Sequence, residues 1–369
     1  MSPRNAVEHA LKRTRVQPPS LLDLLGASFV FTSPINTLAW DGSVACLGLA
    51  DGAIVMLHAR WPGAPTLAHR PGGGVEIRAG EAPPPPPTII AAHRDAVLSL
   101  ASLPSGGIVS GGADGRFLHI ANGEIKTIAD HPRKTITHVG AGRGGRCAMV
   151  AGRQVDMFGP DARRIAMPTS VRALAYDPPG LNLAIGHGEG VMLAIAGVRR
   201  VRSIGSAEAA GRFAWSPDGT MLAHRATGNA IEISCIDTAA LPRRMAQPCT
   251  PAAIGFSAEG TLIAAIDGTI LCWPQGNGDK PIVCVAQSAG VTALACNPRR
   301  PIIAYGDALG TIFLCQPQIP GRMKVRAEGA AIRHLAYAPD GESLVFATDD
   351  NEAGVVALPD ILFRTGIRS

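Results

Sequence analysis

Basic and polar side chains recur at one place in a repeated phrase of this chain. Two positions ahead of a bulky apolar residue, near the start of a short apolar run, stand Asn36, Leu98, Thr137, Arg172, Gly211, Ala252, Thr292 and Arg333, five of them polar. Arg94, Arg133, Lys134, Arg212 and His334 flank the same positions. Arginine offers a planar fork of donors that matches a carboxylate, so residues of this kind gathered on one face would hold an anionic or acidic-peptide partner. The candidate binding set is therefore Asn36, Arg94, Arg133, Lys134, Thr137, Arg172, Arg212, Thr292, Arg333 and His334. The plain alternative is that strand beginnings are merely solvated.

Other chemistry finds no support in the sequence. It contains no H-E-x-x-H, no G-x-S-x-G, no Walker-type loop and no metal-spaced Cys/His set, so no catalytic residue, metal or cofactor is expected. The ten histidines are scattered; His93 reads as a structural turn residue, and His187, His224 and His334 as hydrogen-bonded or solvent-facing. GAGRGGR at 140–146 reads as a tight turn and not a phosphate or RNA loop. The eight cysteines, among them Cys272, Cys284, Cys296 and Cys315, form no C-x-x-C pair and sit mostly in apolar runs, which predicts reduced, buried thiols.

The elements that position these residues follow from a repeat. A bulky apolar residue is followed directly by Ala or Gly at Leu38-Ala39, Leu100-Ala101, Val139-Gly140, Leu174-Ala175, Phe213-Ala214, Ile254-Gly255, Leu294-Ala295 and Leu335-Ala336, at about 35–41 residues apart after one longer first interval. Each unit reads as strand, turn, strand, turn, strand, with the lead-in to the next unit as a fourth strand. Turns are marked by SPDG at 216–219, APDG at 338–341 and SAEG at 257–260, and hairpins by Asp-Gly at 51–52, 114–115 and 267–268. Asp177, Asp218 and Asp340 are read as turn formers.

One short meander cannot cover both of its faces, so the units must stack radially. Adjacent strand residues face opposite sides, which sends Leu335 and Tyr337 toward one neighbouring unit and Ala336 toward the other. The fold expected is all-β, an eight-bladed β-propeller of four-stranded antiparallel blades, with SFVF at 28–31 completing the last blade. A seven-bladed ring is the rival; it requires the degenerate repeat at 135–159 to lie outside the ring.

FAWSPDG at 213–219, LAYAPDG at 335–341, AHRDAV at 92–97 and DGTILCW at 267–273 resemble the WD-repeat family over nearly the whole chain. The resemblance implies a propeller used as a scaffold for protein contacts. Its signature is loose: only Trp273 occupies the Trp of the family's Trp-Asp pair, Pro274 replaces the Asp, and Leu57, Ile120, Phe158, Ile195, Ser234 and Cys315 stand at corresponding places. The family's buried His–Ser–Asp–Trp hydrogen-bond chain is then implied, in part, for one blade only, through His93, Ser110 and Asp114.

The remaining boundaries are compositional. Residues 1–26 form an amino-terminal tail, 27–363 the propeller with a Gly/Pro-rich insertion at about 60–87, and 364–369 a short tail. The insertion reads as a solvated connection, and its Pro83–Pro87 run favours an extended polyproline conformation. Leu21, Leu22, Leu24 and Leu25 are placed to cap the ring edge or to meet a partner. A formal charge of +5 spread over 369 residues does not predict a nucleic-acid surface, and no stretch has the apolar length of a membrane helix. With thiols reduced and no secretion signal, a cytoplasmic protein is expected. The function expected is non-enzymatic protein–protein scaffolding through the rim of the propeller; the alternative is an enzyme or small-ligand binder using the central channel.

Overall fold

The computed structural model describes residues 18–71, 74–205, 209–238, 241–275, 280–286, 289–317 and 319–364; the side chains of 209–212 and of Arg364 lie outside that description. Eight four-stranded antiparallel sheets follow one another along the chain. Their innermost strands are Ile35–Asp41, Val97–Ser102, Ile136–Ala141, Val171–Tyr176, Ala209–Trp215, Ala253–Phe256, Val291–Cys296 and Ile332–Tyr337. Each contacts the next, and the eighth contacts the first, so the array is a closed eight-bladed propeller. The degenerate repeat is a full third blade, Ile136–Ala141, Cys147–Ala151, Gln154–Phe158 and Arg163–Ala166, which removes the seven-bladed alternative.

Ring closure comes from the amino-terminal side. Gly26–Val30 pairs antiparallel with Glu352–Ala357 as the outer strand of the eighth blade. Just before it, Leu21–Leu25 forms a short helix with Ser20 as its cap: Ser20 Oγ accepts from the Asp23 amide, and Asp23 Oδ2 accepts from the Ser20 amide at 2.7 Å. Leu21 and Leu25 are buried against the seventh and eighth blades, so this leucine-rich segment caps the ring edge.

Alternating bulk fills the seams between blades. Leu38 packs with Val345 and Ala347 of the eighth blade, while Ala39 faces Leu100 and Ile108 of the second. Leu335 and Tyr337 pack on Ala295, Ala304 and Leu314 of the seventh blade, and Ala336 lies against the first. Glycine makes a second socket. A Cβ on Gly111 would lie 2.5 Å from Ile136 Cγ2, and one on Gly306 2.5 Å from Ile332 Cβ, so the first residue of an inner strand plugs a gap that only glycine leaves in the preceding blade.

The turns behave as their residues dictate. Asp177 Oδ1 accepts from the amides of Leu181 and Asn182, Asp218 Oδ1 from Thr220, and Asp340 Oδ1 from Glu342. The insertion departs from a solvated loop. Thr66–His69 and Val75–Arg78 form a hairpin whose Leu67 and Ile77 pack on the core of the seventh and eighth blades. Arg60 anchors its start to Asp340 and Glu342 at 3.3 and 2.5 Å, and Trp61 Nε1 donates to the Ala82 carbonyl at 3.0 Å. Alternation in TLAH and VEIR is too short to stand out beside the neighbouring Gly and Pro residues.

Candidate functional site

The face that carries the upstream ends of the inner strands also carries the hairpins between second and third strands. On this rim face six blades share one backbone irregularity. Pairing of the first two strands steps from Ile35↔Leu49 to Thr37↔Gly48, from Val97↔Gly112 to Ser99↔Gly111, and from Ile136↔Ala151 to His138↔Val150. It steps likewise from Val171↔His187 to Ala173↔Gly186, from Val291↔Asp307 to Ala293↔Gly306, and from Ile332↔Thr348 to His334↔Ala347. The extra residue in each case is Asn36, Leu98, Thr137, Arg172, Thr292 or Arg333. A single-residue bulge interrupts the pleat and re-aims one side chain, so the polar column of the sequence is a column of bulges. An unpaired residue leaves no mark in a pattern of alternation, and only the polar residue inside an otherwise apolar phrase hints at it.

The predicted residues do not all serve one purpose. Asn36 latches adjacent blades, its Nδ2 donating to the Val97 carbonyl at 3.1 Å. Thr137 Oγ1 lies 3.0 Å from His138 Nδ1, and Thr292 Oγ1 donates to the Gly306 carbonyl at 3.3 Å, so both hydroxyls serve the bulge itself. Arg333 is exposed, with Nε 3.3 Å from Asp349 in the hairpin of its own blade. His334 is half-buried and Arg172 exposed. Arg212 lies in strand Ala209–Trp215, with its side chain outside the described residues.

Arg94, Arg133 and Lys134 are exposed in connectors ahead of the second and third blades. Arg133 and Lys134 line an open groove of about 650 Å³ together with Thr135, Gly152, Arg153 and Pro168. Arg153 was missed from the sequence because it belongs to the hairpin between second and third strands, which only closure of the blade brings beside a connector. Among the described residues lining this groove there is no carboxylate. Asp156, on the strand leading from it, is buried and already engaged by Arg164 Nε at 2.9 Å and Gln154 Nε2 at 2.7 Å. Three cations thus share one concave surface, on which Arg153 Nη1 donates to the Pro168 carbonyl at 3.3 Å.

One blade carries a buried polar chain. His93 Nδ1 is 2.9 Å from Asp114 Oδ1, and His93 Nε2 is 2.8 Å from Ser110 Oγ. Burial pushes the His93 pKa below its ordinary 6.5 in spite of the neighbouring carboxylate, so the ring is neutral near pH 7. Burial opposes ionisation of Asp114, but the amides of Arg94 and Arg116 and the His93 ring together hold its carboxyl below its ordinary value. A neutral ring beside a carboxylate carries its proton on Nδ1 and accepts the Ser110 hydroxyl proton at Nε2. Ser110 is fully buried, so this Ser–His–Asp set ties the second blade's strands to the connector and offers substrate no approach. Ile120, fully inside the seam, stands where the chain would continue to a Trp.

Two further histidines, His187 and His224, are held by contacts of their own. His187 Nδ1 accepts from the Glu189 amide at 3.3 Å, and buried His224 lies 3.5 Å from buried Glu232. No helix among the described residues is long and apolar enough to cross a membrane. No protein-family model matches the chain, and no curated protein is significantly similar to it.

Proposed function

We propose that this propeller is a non-enzymatic, WD-repeat-like scaffold that holds an acidic protein segment on its rim face. The observation that carries the reading is the groove of Arg133, Lys134 and Arg153, which joins predicted rim residues to a third cation in a concavity free of lining carboxylates. The backbone that carries them is tied by hydrogen bonds, His131 N to Gly115 O at 2.8 Å and Met167 N to Arg153 O at 2.8 Å. Three cations spread along one groove favour a linear acidic stretch over a single small anion. The His93–Ser110–Asp114 chain supports the WD-repeat resemblance from a separate part of the molecule.

The cytoplasm is the compartment we assign, on the strength of the unbridged thiols. Affinity capture followed by mass spectrometry tests the reading, comparing the wild type with Arg133→Glu/Lys134→Glu/Arg153→Glu. The variant should lose acidic partners and keep its melting temperature. Equal recovery from both proteins would refute the assignment.

A further inference from the structure

Four cysteines converge at the seam of the sixth and seventh blades. Cys272 lies on Thr269–Trp273 and Cys284 on Ile282–Val285 of the sixth blade; Cys296 and Cys315 lie on Val291–Cys296 and Ile312–Gln316 of the seventh. Cys315 occupies the column of Trp273, so a thiol stands where the sixth blade places a bulky side chain. Cys272 is fully buried and Cys315 nearly so, while Cys284 and Cys296 are partly buried. The Cys284 and Cys315 sulfurs are 3.6 Å apart, across the seam and not within one sheet. A disulfide needs about 2.05 Å between sulfurs, so the pair must close by about 1.5 Å.

We propose that Cys284 and Cys315 form a peroxide-sensitive thiol pair, in which Cys284 is oxidised first and Cys315 resolves it into a disulfide that clasps the sixth blade to the seventh. In the first step the Cys284 thiolate attacks one oxygen of a hydroperoxide. The O–O bond breaks, Cys284 becomes a sulfenic acid, and the departing hydroxide takes up a proton to leave as water. Cys315 then attacks the sulfenic sulfur; its thiol proton and the displaced hydroxide form a second water. The two thiols lose two electrons and two protons in all, and hydrogen peroxide becomes two waters.

The surroundings favour this order of events. Cys284 is the more accessible member, and the neighbouring Cys272 and Cys315 thiols lower its pKa against the opposing effect of burial. The Gln316 carbonyl accepts from the Cys284 thiol at 3.4 Å and favours its protonated form. Cys315 is held protonated by its bond to Cys284 and by burial, so it waits as the resolving thiol until the first is oxidised. Cys235, the exposed thiol elsewhere on the propeller, serves as an internal reference.

The test treats the reduced full-length protein with submillimolar hydrogen peroxide, follows each cysteine by isotope-coded alkylation, and maps cross-linked peptides by mass spectrometry. Cys284 should be oxidised at least tenfold faster than Cys235, with loss of two thiols, a Cys284–Cys315 cross-link that dithiothreitol reverses, and a melting temperature raised by a few degrees. Cys315→Ala should stop at a sulfenic acid trapped by dimedone, Cys284→Ala should abolish fast oxidation, and Cys272→Ala should slow it while leaving the cross-link intact. Oxidation of Cys284 no faster than Cys235, a cross-link joining Cys284 to Cys272 instead, or a link only between two copies of the chain would overturn the proposal. Circular dichroism of each variant verifies folding. If an alanine variant does not fold, the wild-type rates and cross-link map decide alone.

Discussion

The rim face uses the same residue type in two ways. At the third blade Arg133, Lys134 and Arg153 line a groove without carboxylates, whereas at the eighth Arg333 faces Asp349 at 3.3 Å, with Arg326 paired to Glu352 on the neighbouring strand. Both sectors rest on the same bulge and the same glycine socket, Ile136 against Gly111 and Ile332 against Gly306. The difference lies in one hairpin: Gly152-Arg153 closes the second and third strands of the third blade, Asp349-Asp350 those of the eighth. A repeat fixes where a side chain stands and leaves its electrostatic surroundings to the hairpin beside it.

Breaking the shared support has the largest effect. Ile136→Ala and Ile332→Ala each empty a buried socket and should cost about 3 kcal/mol of stability in denaturant unfolding. They should differ in function: the first loosens the connector that bears Arg133 and Lys134 and weakens binding of an acidic ligand, while the second spares it. Equal losses of binding would mean that the two sectors act as one.

Next in size is the polar tie of the second blade, which lies just upstream of the groove. Ser110→Ala leaves His93 Nε2 without its donor and should cost about 1–2 kcal/mol. The pH dependence follows from burial. His93, His138 and His187 all have pKa values lowered from 6.5 in the folded protein, so the unfolded chain binds more protons below that pH. Their contribution is complete above about pH 6.5 and is lost as pH falls below it; the melting temperature should decline between pH 6.5 and 5, and less steeply in His93→Gln. A flat profile in the wild type would contradict the buried neutral rings.

The large-and-small columns make the ring legible in the sequence, because Leu335 and Ala336 must face different neighbours whatever else surrounds them. They also placed the polar positions on one rim. What remained hidden depends on contacts between segments far apart in sequence or on geometry without a residue signature. At Arg172 the bulge is marked only by one polar residue in an apolar phrase, and Asp349 is 16 positions from the Arg333 whose charge it offsets. Arg153 joins Arg133 only after a blade folds, and Cys284 meets Cys315 only after two blades stack. The insertion hairpin is short, and its packing partners Leu21 and Leu25 come from the opposite end of the ring's closure.

The smallest expected effect sharpens the contrast from the other side. Asp349→Asn removes an exposed partner and should change stability by less than about 1 kcal/mol. It should nevertheless give the eighth-blade sector a measurable attraction for an acidic peptide, seen as a modest rise in affinity at low salt. No rise at low salt would show that pairing with Asp349 is not what silences Arg333.

The central claim concerns the groove, and its most direct test is the affinity of a labelled Glu-rich peptide by fluorescence anisotropy, measured at two salt concentrations. Wild type should bind with an affinity that falls as salt rises, Arg133→Glu/Lys134→Glu/Arg153→Glu should bind at least about tenfold more weakly, and Arg333→Glu should bind nearly as well as wild type. Equal affinity in wild type and the triple variant, or a loss confined to Arg333→Glu, would contradict the account.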